Sequence, residues 1–575
     1  MYEHLLEPLE YYEKRGKAEH EANVTEYFEK LLAQSGVDEQ QNRATVKAYH
    51  AECAAADKVA RKIGTKKALR VLLIIAAVIG GILAIVGGVQ LTADTGLGIG
   101  LLAGGLVLVA LSIVLIVKVV NPRIRAAAEV LEKHREKAQK LLAEAEEQMA
   151  PLNALFDNTD TIRLMEKTIP DLDFEDCYSV QNETFLVECH DFYHPNGKNG
   201  SITNTLSGRL MGNPFLYIRR RICEIRDETY HGSLTISWTE TYRDSKGNLQ
   251  TRRRTQTLHA SVQKPKPFYF SRTYLCYGNQ AAPDLSFIRT PKHWERLSEK
   301  ERERKIKRGQ KELQEKAEKA LQNGGHFQEM ANEEFDVLFG ATNRDHETQF
   351  RLMYTPLAQT NTVDILTSKA GYGDDFRFQK NHRLNIIESE HAQSWDMNTA
   401  ASRYYSYDVD VARKNFISFN VDFFKSVFFD FAPLLSVPAY LEEPCASLEP
   451  PDDTLSNFTD YEHEVLANAV GGRNFAHRDS ATEPILKTRL TSKAGADDMV
   501  SVTALSYSAH DRVDFVPRMG GDGRMHAVPV PWVEYLPLER TSHMRVSPAP
   551  VSERELRNSP LADAVCLHGM TARLE

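Results

Sequence analysis

The residues best suited to chemistry lie in three short clusters. Cys189-His190-Asp191 with His194 gathers side chains that are good metal ligands. On a helix His190 and His194 would share a face. The neighbouring Phe192-Tyr193 and His194-Pro195-Asn196-Gly197 instead read as a strand ending in a turn. There the two histidines still share a face but stand ~13 Å apart at ~3.3 Å per residue, too far for one metal. No second ligand pair is spaced to complete four-coordination, so a structural role is expected. Gly520-Gly521-Asp522-Gly523, with Arg524 and His526 behind it, suggests a phosphate turn. A phosphate cradle needs a strand before it and a helix after it. Val528-Pro529-Val530-Pro531 cannot readily start a helix, which favours a hairpin turn. The triplets Arg219-Arg220-Arg221 and Arg252-Arg253-Arg254 fall in strand-like sequence, where each puts at most two side chains on one face. Aligned on adjacent strands they would form a basic patch for anionic lipid head groups or an acidic partner. Otherwise they are ordinary exposed or ion-paired arginines. The chain has no Walker motif, GxSxG or HExxH. No catalytic, cofactor-binding or metal-binding residue is assigned, and no cofactor is expected.

Two apolar runs must position whatever the chain does. Val71 to Leu91 and Gly96 to Val117 hold no charged residue. Each is about 20 residues, long enough as a helix to cross ~30 Å of hydrocarbon. The stretch Thr92-Ala93-Asp94-Thr95 between them suffices only for a turn. Lys58, Arg61, Lys62, Lys66, Lys67 and Arg70 precede the first run, and Lys118, Arg123 and Arg125 follow the second. Lys and Arg near span ends are retained in the cytoplasm. The expectation is a cell-membrane protein with two spans and both termini cytoplasmic, the six basic residues meeting head groups. A signal peptide is a poor alternative, since the first run begins 70 residues in. Small residues recur every fourth position: Ala76, Gly80, Ala84 and Gly88 in one span, Gly96, Gly100 and Gly104 in the other. Such rows let helices approach closely in lipid, either within the hairpin or between protomers of a homo-oligomer. A pore is the weakest reading, because no ionisable group lies within either span.

Composition agrees with a soluble chain carrying a membrane hairpin. Hydrophobic residues make up 42%, too few for a polytopic transporter, and the net charge of -9 argues against bulk nucleic-acid binding. The seven cysteines form no CxxC and are expected to be reduced thiols.

The expected order is N-terminal cytoplasmic helices (1–69), the hairpin (70–120), a coiled-coil-like helix (121–154) and a β-rich domain (155–291). A charged helix (292–332), a second α+β region (333–445), a linker (446–483), a β-rich segment (484–540) and a polar, loose tail (541–575) follow. Ala127, Leu131, His134, Ala138, Leu141 and Ala145 have the 4-3-4-3-4 spacing of a coiled-coil seam and should pair with the N-terminal helices as a stalk. Leu234, Ile236 and Trp238 alternate with Thr235, Ser237 and Thr239 as a half-buried strand, and Asp244 to Gly247 turns it into a second arm, Leu249 to Val262. Further strands are expected at Thr184 to Cys189, at Phe268 to Tyr277, and where Ile417, Phe419, Val421 and Phe423 alternate with Ser418, Asn420 and Asp422. The aromatic block Phe423 to Phe431 should be core, since Lys425 and Asp430 interrupt it. The hexapeptide Leu-Thr-Ser-Lys-Ala-Gly occurs at 366–371 and at 490–495, by chance or through a shared turn.

After the hairpin, Glu334-Phe335 with Phe339 precedes Arg351, Leu352, Thr355 and Pro356. This resembles an uncharacterised bacterial family of two-span membrane proteins, a domain of unknown function sometimes labelled galanin-like. Its acidic-aromatic stretch runs through a charged segment to a Leu-Thr-Pro motif. Tyr354 stands here in place of the leucine. The resemblance covers roughly residues 70–440, implies a bacterial inner or plasma membrane, and supplies no catalytic residues to carry over. The fold class expected is an α+β membrane protein, a two-helix transmembrane hairpin with a helical stalk and β-rich cytoplasmic domains. The function expected is a membrane-anchored scaffold that binds a cytoplasmic protein partner. A membrane-tethered enzyme or ligand sensor, with a site between the β-rich domains, is the alternative.

Overall fold

The computed structural model describes residues 5–90, 95–193, 197, 199–243, 247–325, 327–395, 397–442, 458–548, 565–567 and 570–574. The chain is α+β, with helices and antiparallel sheet. The helices are α1 (Pro8–Tyr11), α2 (Lys17–Ser35), α3 (Glu39–Gln90), α4 (Thr95–Leu115), α5 (Asn121–Asn153), α6 (Asp160–Thr168), α7 (Val180–His190) and α8 (Glu299–Gln322). Then come α9 (Glu333–Phe339), α10 (Glu347–Met353), α11 (Pro356–Thr367), α12 (Glu390–Ser394), α13 (Val409–Leu435), α14 (Asp460–Val470) and α15 (Gly472–Phe475). The strands are β1 (Leu172–Phe174), β2 (Gly200–Leu210), β3 (Asn213–Arg243), β4 (Leu249–Gly278), β5 (Ser286–Arg289) and β6 (Phe376–Asn381). They continue as β7 (Leu384–Ser389), β8 (Ile485–Ala494), β9 (Asp497–Met519), β10 (Met525–Pro548), β11 (Val565–Leu567) and β12 (Met570–Leu574). The chain divides into two compact units.

One unit, Thr25–Phe156 with Ala401–Ser418, is helical. Gly36, at φ 68°, separates α2 from α3, and Asp38 starts α3 by accepting from the amides of Gln40 (2.9 Å) and Gln41 (3.0 Å). No proline follows until Pro122, so α3 runs unbroken for 52 residues, ~78 Å at 1.5 Å per residue. A π turn at Ile116–Val120 joins α4 to α5 and absorbs Pro122, whose ring would otherwise meet the carbonyl four residues back. α5 lies along α3. Ala127, Leu131, His134, Ala138, Leu141 and Ala145 lie on the covered face of α5, with Ala138 and Ala145 buried. His134 Nδ1 meets Glu52 at 2.5 Å and Gln148 donates to Thr45 Oγ1 at 3.0 Å, tying α5 to α3. At the stalk's base Phe28, Phe156, Tyr404 and Phe416 form an aromatic knot.

The other unit, Met1–Val24, Asp157–Ala400 and Phe419–Glu575, contains both sheets. One has the order β1-β2-β3-β4-β7-β6-β5 and the other β11-β12-β10-β9-β8, and every pairing is antiparallel. The expected hairpins are real and longer than anticipated. β3 and β4 pair from Phe215↔Tyr277 to Arg243↔Leu249, ~95 Å of ladder at ~3.4 Å per residue. Of the residues Glu334, Phe335, Phe339, Leu352 and Thr355, the aromatic ones are core, while Glu334 and Leu352 are exposed. Phe335, Phe339, Phe350 and Tyr354 pack ring against ring, and Thr355 caps α11 ahead of Pro356.

Four local expectations are corrected. Thr184 to Cys189 is helix, not strand: Ser179 caps α7, and Asn182, Phe185, Leu186 and His190 are buried at helical spacing. The alternation at 417–423 also lies in a helix, α13, where Ala412, Phe416, Asn420, Phe423 and Val427 follow a 4-4-3-4 rhythm inward. The expected linker 446–483 contains α14, whose buried Glu462 accepts from the Tyr178 amide and Thr205 and whose buried Glu464 binds the Ile202 amide and Lys487. Its Pro-rich start, 444–451, lies outside the described residues. The tail is not all loose, since β12 pairs with β10 and buries Met570 and Ala572. The repeated hexapeptide ends helix α11 in one copy and strand β8 in the other, so it marks no duplicated domain.

Candidate functional site

The apolar hairpin is joined by a seam of glycines. A Cβ on Gly80 would stand 2.9 Å from Gly105 O, and one on Gly87 only 2.5 Å from Leu102 N. A Cβ on Gly105 would meet Gly80 O at 2.5 Å and Ala84 N at 2.6 Å. Gly80 and Gly87 on α3, with Gly98 and Gly105 on α4, therefore repeat every seven residues. The four-residue rows expected from the sequence are corrected in part. Gly80 and Ala84 are at the seam and Ala76 is partly covered, but Gly88 only touches the Leu102 side chain. Gly100 and Gly104 face open space, and the Gly96 side is outside the described residues. A step of four drifts ~40° around a helix while a step of seven drifts only ~20°, so heptads stay on a long seam. Outside the seam the helices are aliphatic and exposed: Ile85 and Val89 at 70% and Val107 at 66%. Both are long and apolar enough to cross a membrane. Lys58, Arg61, Lys62, Lys67 and Arg70 are exposed, and Lys66 Nζ donates to Arg123 O at 3.4 Å. That contact puts the two basic clusters at the same end of the hairpin.

The second feature is an arm of two stacked ribbons. The distal part of β3–β4 packs on β9–β10 through Ile236, Leu258, Ala260, Val528 and Val530. Gly232 allows the close approach, since a Cβ there would lie 2.0 Å from Pro529 O. The turn Gly520–Gly523 closes β9–β10 as a hairpin, Gly523 at φ 74°. No phosphate cradle forms: Asp522 pairs with His526 at 3.0 Å, and Gly521 N donates to Gln256 at 2.7 Å. The arm's two outer faces differ. On β3–β4 it is Thr229, His231, Ser233, Thr235 and Ser237 beside Thr255, Thr257, His259 and Ser261. On β9–β10 it is Val513, Phe515, Pro517 and Met519 beside Met525, Ala527, Pro529 and Pro531. Phe515 is 67% exposed. A contiguous apolar face of this kind marks an interaction surface.

The arginine triplets do not align. Arg219–Arg221 pair with Ser271–Thr273 at the ladder's base, and Arg252–Arg254 with Trp238–Glu240 near its tip. Arg219 is spent on the carbonyls of Ala392 and Trp395, and Arg254 on Glu240 at 2.8 Å.

A third cluster was invisible in the sequence. His391 Nδ1 faces Asp375 Oδ2 at 2.7 Å, and its Nε2 faces Ser426 O at 3.1 Å and Asp430 Oδ1 at 3.6 Å. Asp430 is also hydrogen-bonded by Ser389 and Tyr217, and Tyr372 stacks on the imidazole at 3.7 Å. Burial disfavours charge on His391, but Asp430 and Asp375 outweigh it and raise its pKa above the ordinary histidine value. Burial likewise raises the pKa of Asp430, against the pull of His391. The array links β3, β7, α12 and α13 around an imidazolium whose two N–H groups both find acceptors. Its members lie up to 213 residues apart, and no local spacing announces it.

The described members of the Cys189 cluster are not placed to hold a metal. His190 ends α7, fully buried edge-on against Phe185, and neither ring nitrogen has a hydrogen-bond partner. Burial brings its pKa down to about 4. His194 is outside the described residues, and among those described no group of three or more His, Cys, Asp or Glu is placed to hold a metal. A groove of about 620 Å³ lies between residues 7–14 and 356–364, with Glu7, Glu10, Glu13 and Asp364 in its wall. Comparison with protein families, curated proteins and solved structures found no match.

Proposed function

We propose that this chain is a two-span protein of the cell membrane, with both termini cytoplasmic, that acts as a scaffold and binds a partner through its β-rich unit. The resemblance to the two-span bacterial family supports the same location. The apolar outer face of the arm carries the reading. A monomer in water gains nothing from leaving Val513, Phe515, Met519 and Met525 uncovered, whereas a binding surface requires it. The glycine seam, with basic residues gathered at one end, supports the anchoring. A second reading, a tethered enzyme or sensor, draws on the enclosed Asp375–His391–Asp430 array.

Crosslinking in the native membrane from a photoreactive residue at Phe515 tests the scaffold. Efficient crosslinking, to a protein or to lipid, is expected there and is absent when the probe sits at Ser233 on the polar ribbon. Equal, diffuse labelling from both positions would contradict it.

A further inference from the structure

The arm is amphipathic in a way that specifies what covers it. Its β9–β10 face presents Val513, Phe515, Pro517, Met519, Met525, Ala527 and Pro531 without a charge among them, over ~20 Å of strand. The opposite face, on β3–β4, is hydroxyl-bearing and imidazole-bearing. Beyond Leu505 β9 pairs only with β10, and β10 has no other partner before Met544, among the described residues. Pro517, Pro529, Pro531 and Pro537 withhold N–H donors along this ribbon, which guards its edges against a further strand. Association is thereby directed to the face.

The tip supplies the charge. The β9–β10 turn reaches Trp238 and Gln256, and β3–β4 continues past it by about five residues to Arg243 and Leu249. Across the described residues 240–243, 247–254 and 516–528 stand Arg243, Arg252, Arg253, Arg254, Arg518 and Arg524, against Glu240 and Asp522. That is six cations to two anions, in a chain whose overall charge is -9. Tyr242 and Leu249 are exposed among them. An apolar face with cations at one end fits the boundary between anionic head groups and acyl chains.

We propose that the β9–β10 ribbon lies on an anionic bilayer surface, its Phe515 face in the acyl boundary and its tip arginines among the head groups. This rests on the reading of the chain as a membrane-anchored binder and names the partner of its arm.

The test uses the full chain carrying Phe515→Trp, reconstituted in vesicles whose acyl chains are brominated and quench nearby indole. The added fluorescence should be quenched in phosphatidylglycerol vesicles and at least two-fold less in phosphatidylcholine. Arg252→Glu with Arg524→Glu should abolish the difference. Ile85→Trp, on the outside of the first span, reports the anchor separately and should be quenched in both lipids. Quenching at 85 but not at 515 would overturn the arm proposal and leave the anchor standing. Equal quenching at 515 in both lipids would overturn its anionic character. An unquenched 515 that photocrosslinks to a second copy would assign the face to self-association instead.

Discussion

At the scale of single residues, buried histidines set how this protein answers pH. His391 keeps its proton above the ordinary histidine value because two carboxylates and a carbonyl surround it. A raised pKa means the folded state binds the proton more tightly. The stabilisation is complete below about pH 6.5 and is lost as pH rises through the folded value. Thermal unfolding of wild type should weaken above pH 6.5 more than that of His391→Gln. At pH 6 the variant should be less stable by ~3 kcal/mol, since it leaves buried carboxylates uncompensated. His190 has the opposite sign. Its folded pKa of about 4 means the unfolded chain takes up the proton first. Its contribution is present above pH 6.5 and falls away, by ~3 kcal/mol, as pH drops toward 4. His190→Leu should flatten that acid limb in the same unfolding series. Neither role was legible from sequence. The strand expected over Thr184 to Cys189 hid the helical spacing that buries His190, and Asp375, Ser389, His391 and Asp430 are united only by the fold.

At the scale of elements, regular patterns were read correctly where one face meets water. The stalk heptads and the Leu234–Trp238 alternation both emerged as expected, because a half-exposed element carries its period in its polar residues. α13 was misread because its exposed residues Asp410, Lys414, Ser418 and Asp422 step by four, and over 417–423 a step of four coincides with a two-residue alternation. The glycine seam was half legible. Glycine marked it, but the row itself depends on the crossing of two long helices, and a step of seven beat a step of four. Gly105→Leu drives a side chain into the Gly80 carbonyl and the Ala84 amide, whereas Gly104→Leu meets open space. In detergent, Gly105→Leu should destabilise the hairpin by ~1–3 kcal/mol and speed hydrogen exchange in both spans, with Gly104→Leu unchanged. If the homo-oligomer expected from Gly100 and Gly104 exists, Gly104→Leu should dissociate it on native gels without touching that exchange.

At the scale of the whole molecule, charge and hydrophobicity set the topology the protein is proposed to adopt. Exposed aliphatic side chains surround a hairpin whose basic residues gather at one end, and the remaining mass is built as a charged, water-compatible chain. The hairpin, its basic flanks and the strand-rich character of much of the chain were legible, because each is written in local composition. The stacking of two ribbons, and hence the arm's single apolar face, was not, because it joins residues nearly 300 positions apart. The decisive measurement is labelling of intact cells with a membrane-impermeant maleimide, with and without the substitution Thr92→Cys. The proposed topology predicts that only the introduced thiol is labelled, with accessible native cysteines such as Cys53 and Cys189 reached only after permeabilisation and buried Cys276 not at all. Labelling of the native cysteines in intact cells, or no labelling of the introduced thiol, would contradict it.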